Sequence, residues 1–138
     1  MDTFEKQRKI FSINAVLMLV SALSLAAVIP IILMDTSPGS LPIQAASGAF
    51  IGMGIHLFLA YWFGIRLRRR KSKIRNEVLI FSALGLFFLG FMIMDGAFAF
   101  LDDLLFVSIG MFICVFGDFA ATLVSVIALF LLKPKKKN

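Results

Sequence analysis

Long runs of uncharged, apolar residues alternate with short charged or turn-rich segments along this chain. The first run covers the 25 residues 10–34, between Lys9 and Asp35. That length is enough for a helix across a hydrocarbon core about 30 Å thick. Three further runs follow at 45–65, 78–98 and 104–132. Because a chain in lipid must satisfy its own backbone hydrogen bonds, each run is predicted to be an α-helix.

The segments between the runs predict how the helices connect. Two prolines and a glycine between Asp35 and residue 45 favour a turn, and the basic segment 66–77 forms the central loop. We therefore predict an all-α integral membrane protein, a four-transmembrane-helix bundle made of two helical hairpins. Residues 1–138 form a single membrane domain that ends in a basic tail, 133–138.

The composition supports lipid as the solvent of this chain. Hydrophobic residues make up 60% of it and charged residues 16%, with a mean hydropathy of +0.97. Soluble domains average about 45–50% apolar and about 25% charged residues. A soluble enzyme, a disulfide scaffold and a nucleic-acid-binding module are therefore excluded, and no nucleic acid partner is expected.

The basic residues predict the orientation in the membrane. With four spans, all 14 lysines and arginines fall on one side, and the other side carries four aspartates and no base. Positive residues in short loops are retained in the cytoplasm, so both termini are predicted inside, in a cell inner or plasma membrane with anionic headgroups on that side. Besides Lys6, Arg8 and Lys9, these topology residues are Arg66, Arg68, Arg69, Arg70, Lys71, Lys73, Arg75, Lys133, Lys135, Lys136 and Lys137.

Two ionisable residues lie deep within the predicted spans. Asp118 is the central residue of the fourth run, and His56, the one histidine, lies near the middle of the second. An aspartate at the bilayer centre costs about 2.5–3.5 kcal/mol to insert, so it faces protein or a polar cavity. Asp118 and His56 are the candidate intramembrane polar site. A direct pair and separate satisfaction of each group both remain open.

Small residues predict where the helices pack. They recur at helical spacing in the second and fourth runs, on the faces that carry His56 and Asp118. A packed interface between these two helices is therefore expected, within one chain or between two. The packing residues are Gly48, Gly52, Ala60 and Gly64 in the second run, and Gly110, Cys114, Gly117, Ala121 and Ser125 in the fourth.

Thiolate-cluster, thiol-redox and haem chemistry each need residues that this sequence does not contain. A single cysteine cannot form a thiolate cluster or a redox pair, and one histidine cannot supply both haem ligands. No catalytic, cofactor-binding or metal-binding residue is predicted, and the chain is not expected to be an enzyme. The leading interpretation is an accessory or assembly subunit of a larger membrane complex, or a homo-oligomer. The alternatives are a small proton- or cation-coupled transporter or channel that uses Asp118 with His56, and a holin-like pore former.

Overall fold

The structure is a computed structural model that describes residues 3–34, 42–67, 76–101 and 104–131. Helix α1 covers Thr3–Leu33, α2 covers Pro42–Tyr61, α3 covers Asn76–Ala99 and α4 covers Leu105–Leu131. A π-helical turn, Trp62–Leu67, extends α2. All four helices contain an apolar stretch long enough to cross a membrane, which confirms a helical, multi-pass membrane protein.

The helix ends differ from the predicted ones for local reasons. Helix α1 begins seven residues before the predicted 10–34, because a helix continues through charged residues that need not enter lipid, with Glu5 in its favourable first turn. Helix α2 begins at Pro42, not at residue 45, since proline is well tolerated in the first turn of a helix.

Most of the predicted topology residues lie outside the part of the chain that the structure describes. Arg66 is in the π-helical turn after α2. The residues outside the described ranges are Arg68, Arg69, Arg70, Lys71, Lys73, Arg75, Lys133, Lys135, Lys136 and Lys137. The side of the membrane on which the basic loop and tail lie stays a prediction.

Helix α1 holds the bundle together. It packs antiparallel against both α2 and α4, and α4 packs against α3. Among the described residues, no Cα of α2 lies within 8 Å of a Cα of α3 or α4. The helix order is therefore α2, α1, α4, α3, and α2 and α4 are separated by α1.

The two stripes of small residues pack against α1, which corrects the expected interface between the second and fourth helices. Gly117 faces Ser21, and Gly110 faces Val28 and the Ser24 carbonyl. On α2, a Cβ built at Gly52 would lie 3.1 Å from the Leu25 side chain. Gly48 has open space around it instead. Glycines on α2 and on α4 let the backbones of both helices approach α1 closely, as is typical of membrane helices.

Two apolar clusters fill the bundle and leave a polar layer between them. One contains Phe11, Met18, Phe63 and Leu86, and lies toward the chain termini. The other contains Leu25, Ala49, Ile93 and Val115, and lies toward the α1–α2 connection. On every helix except α3, a fully buried polar residue lies between the clusters: Ser21, His56 and Asp118, all 0% exposed.

We expect Gly117→Ala to destabilise the bundle. The added methyl group would overlap the Ser21 hydroxyl, and overpacking of a tight site costs about 1–3 kcal/mol. The measurement is the free energy of unfolding in mixed detergent micelles. Gly54→Ala is the matched control, because Gly54 is on an exposed face with nothing within 4 Å of the added Cβ. Equal stability of the two variants would contradict the close α1–α4 packing.

Candidate functional site: a buried polar layer

The structure brings His56 and Asp118 into direct contact across the bundle. The His56 Nε2 atom lies 2.6 Å from Asp118 Oδ1, and both side chains are 0% exposed. Asp118 is the middle residue of α4, so the pair lies at the mid-depth of that helix. Since the α2 and α4 backbones do not approach each other, this hydrogen bond spans the interior between two helices that α1 keeps apart.

The Gly52 carbonyl fixes the orientation of the imidazole ring. His56 Nδ1 lies 2.6 Å from the Gly52 oxygen, one turn earlier on α2. A carbonyl can only accept, so Nδ1 carries a proton and donates it. A carbonyl oxygen has two lone pairs, and it can therefore accept this bond beside its helical one. The ring is held so that Nε2 points toward α4.

The two bonds together determine how many protons the pair holds. With Nδ1 donating to Gly52, the bond between Nε2 and Oδ1 contains one further proton, which belongs either to the imidazolium or to the carboxylic acid. In both arrangements the net charge of the pair is zero. A charge-neutral pair is the form that a low-dielectric interior accepts at least cost.

Cys114 is the third member of this site. Its Sγ lies 3.5 Å from His56 Nε2 and 4.0 Å from Asp118 Oδ2. Cys114 and Asp118 are four residues apart on α4, so they share one helix face. The Ser21 hydroxyl of α1 donates to the Cys114 carbonyl at 3.3 Å, which ties the site to the helix that separates α2 from α4.

These three side chains have the atoms to ligate a metal ion. One ligand atom each from His56, Cys114 and Asp118 lies within 4.8 Å of the others, and all three residues are buried. No metal site is expected from the sequence, because a lone cysteine gives no cluster. In the structure, one nitrogen, one sulfur and one oxygen donor lie within 4.8 Å of one another.

A second polar contact lies two turns along α4 toward the C-terminus. Asn14 Nδ2 donates to Ser125 Oγ at 3.0 Å, and the Ser125 hydroxyl donates to the Ala121 carbonyl at 2.9 Å. Asn14 Oδ1 is buried and has no hydrogen-bond partner among the described residues. Asn14 and Ser21 are seven residues apart on α1, so both face the polar groups of α4.

An apolar groove separates α2 from α3. It consists of two cavities of about 260 and 350 Å³ that share Ile55, Leu89 and Met92 in their walls. On α2 the lining extends from Ala45 to Leu59, about 21 Å at 1.5 Å per residue. Gly48 and Gly85 line the groove from opposite sides, and both have open space around them.

The remaining predicted packing residues lie in the bundle interior or beside it. Ala121 belongs to the cluster toward the termini, Ala60 packs against that cluster, and a Cβ at Gly64 would lie 3.2 Å from Ala15. Two features of the site are not predicted by the sequence: Gly52 as a hydrogen-bond acceptor and Cys114 as a polar neighbour of His56. The four-residue spacing of Cys114 and Asp118 is the signal that could have indicated the role of Cys114.

The chain matches no family model, no curated protein and no solved structure. Its function is therefore inferred from its own residues.

Proposed function

We propose that this protein is a small proton- or cation-coupled transporter or channel in which His56 and Asp118 form the central site. The observation that carries the proposal is the hydrogen bond between two fully buried ionisable side chains at the mid-depth of the bundle. An ionisable residue at that depth is expensive to insert and indicates a functional site, and ion pathways and proton relays are among the sites that such residues form.

Stability alone is a weak explanation for the presence of a buried His56–Asp118 pair. A buried ion pair can often be replaced by apolar side chains of similar volume at no loss of stability, or with a gain. Apolar clusters already fill the bundle on both sides of the pair, so two further apolar residues would suit this layer. A function that needs an exchangeable cation explains the histidine and the aspartate better than packing does.

The surroundings of α2 allow the site to change state. In the described part of the chain, α2 packs against α1 and its own π-helical extension, and faces α3 across the apolar groove. The His56–Asp118 bond is the polar link from α2 to α4. Exchange of the cation held in the His56–Asp118 bond would weaken the link from α2 to α4. The groove leaves free space beside α2. Single π-helical turns, such as Trp62–Leu67, are frequent at functional positions.

The distribution of basic residues supports a proposal for the orientation of this site in the membrane. We infer both termini and the loop 66–77 to be cytoplasmic, in a cell inner or plasma membrane, since positive residues are retained on that side. A reporter that is active only in the cytoplasm, fused after Asn138, is expected to be active. Inactivity of that fusion would refute the orientation.

We expect Asp118→Asn to abolish cation flux while the protein still folds. The carboxamide can donate one hydrogen bond to His56 Nε2 but has no acidic proton and no negative charge to offer a cation. Flux is measured in proteoliposomes loaded with a pH-sensitive dye and driven by a potassium diffusion potential. The rate is expected to fall at least about tenfold, because Asp118 is the one carboxylate at mid-depth in the described part of the chain.

Asp95→Asn is the matched control for this experiment. Asp95 is an exposed aspartate near the end of α3, outside the polar layer, so its substitution removes the same charge without touching the site. Flux near the wild-type value is expected. Helix content and thermal stability, measured on both variants, separate a lost site from a lost fold. Normal flux in folded Asp118→Asn protein would contradict the proposed function.

A second candidate function is that of a subunit that binds a transmembrane helix of a larger membrane complex. The α2–α3 groove favours it, because glycines on both walls leave room for close backbone approach along about two thirds of a membrane core. A lipid chain does not require glycine walls. The groove is thus suited to a partner helix.

We expect Gly85→Leu to fill this groove and to release the partner. The measurement is the mass of the protein extracted from its own host membrane in a mild detergent, with identification of co-migrating chains. Gly54→Leu, on an exposed face of α2 outside the groove lining, is the control and is expected to leave the assembly intact. A wild-type chain that migrates alone, or only with lipid or a second copy, would contradict this candidate.

A further inference from the structure

We propose that His56, Cys114 and Asp118 form a binding site for a divalent transition-metal ion, with Zn²⁺ as the probe. The inference deepens the proposed function and rests on it only in naming the class of cation that the transporter would carry. It stands on two independent features of the site, the ligand distances and the second hydrogen bond of the imidazole, and on the proton count that follows from that bond.

The sulfur and the nitrogen already have the separation that a shared metal requires. Zinc–sulfur bonds of about 2.3 Å and zinc–nitrogen bonds of about 2.0–2.1 Å place two tetrahedral ligands about 3.5 Å apart. Cys114 Sγ and His56 Nε2 are 3.5 Å apart. The Nε2 and Oδ1 atoms, at 2.6 Å, are held by a proton and must separate to about 3.3 Å around a metal.

The Gly52 carbonyl supplies the outer contact that metal-binding histidines usually have. A ligating histidine almost always donates its other ring N–H to a carboxylate or a backbone carbonyl, which fixes the tautomer and the ring orientation. His56 Nδ1 makes this bond at 2.6 Å, so Nε2, which faces Cys114 and Asp118, is the ring atom that can bind a metal once the proton it shares with Asp118 leaves. The bond is present before any metal enters.

The exchange of protons for a divalent ion leaves the charge of the site at zero. Without metal, the site holds one proton in the His56–Asp118 bond and one on the Cys114 thiol. Binding of one Zn²⁺ to neutral imidazole, thiolate and carboxylate releases both protons, and the two positive charges of the ion balance the two negative ligands. A buried site avoids the large cost of an uncompensated charge in this way.

The donor set selects the kind of ion. Magnesium and calcium require six or more oxygen ligands, whereas this site offers one oxygen beside nitrogen and sulfur. Imidazole and thiolate suit zinc and neighbouring transition metals. Three protein ligands leave a fourth position open, which is typical of zinc sites that exchange a ligand and not of closed structural sites.

The test is a titration of the purified full-length protein in detergent with Zn²⁺ and Co²⁺. We expect about one ion per chain, with about two protons released per ion in a weakly buffered solution. Bound Co²⁺ is expected to show a thiolate-to-metal charge-transfer absorption in the near ultraviolet. Cys114→Ser is expected to weaken binding at least about tenfold, to remove this absorption and to reduce the release to about one proton.

Controls keep the outcomes distinct. Asp95→Asn is expected to bind metal like the wild type, and Cys114→Ala replaces Cys114→Ser if the serine variant does not fold. Absence of bound metal, or binding that Cys114 substitutions leave unchanged, would overturn the metal site. If proton flux depends on Asp118 but the protein binds no Zn²⁺, the proposed function stands and the metal site is rejected. Zn²⁺ binding with two protons released, but no flux of either cation, keeps the site and rejects transport.

Discussion

One hydrogen bond, between His56 Nε2 and Asp118 Oδ1, connects two helices whose backbones do not meet. The structure around this bond reflects the free-energy cost of placing two ionisable side chains in lipid. Each side chain must be fully shielded, the pair must be neutral, and the second ring nitrogen must find an acceptor. The fold meets these requirements with apolar clusters on both sides of the layer and with the Gly52 carbonyl one turn from the histidine.

Helix α1 makes this bond possible because both α2 and α4 pack closely against it. Gly52 on α2 and both Gly110 and Gly117 on α4 let the two backbones approach α1 from different sides. The side chains of His56 and Asp118 then meet in the interior that α1 borders. The same arrangement leaves α2 and α3 apart, with the apolar groove between them.

The four helices could be predicted from the uncharged runs, because lipid admits few alternatives for the backbone. The equal depth of His56 and Asp118 follows from their positions in these runs. The neighbour of each small-residue stripe could not be predicted, since Gly52 and Gly117 would allow close approach to any helix. The sequence predicts Cys114 only as a small packing residue, because only the three-dimensional position of the imidazole shows that its sulfur faces the pair.

Nuclear magnetic resonance of the one histidine in the chain, labelled with ¹⁵N in lipid bilayers, tests the central claim most directly. Because His56 is the only imidazole, each ring nitrogen gives an unambiguous signal. The account predicts a protonated Nδ1, hydrogen-bonded to a carbonyl, and magnetisation transfer from Nε2 to the carboxyl carbon of Asp118. An unprotonated Nδ1, or an Nε2 without proximity to the Asp118 carboxyl group, would contradict it.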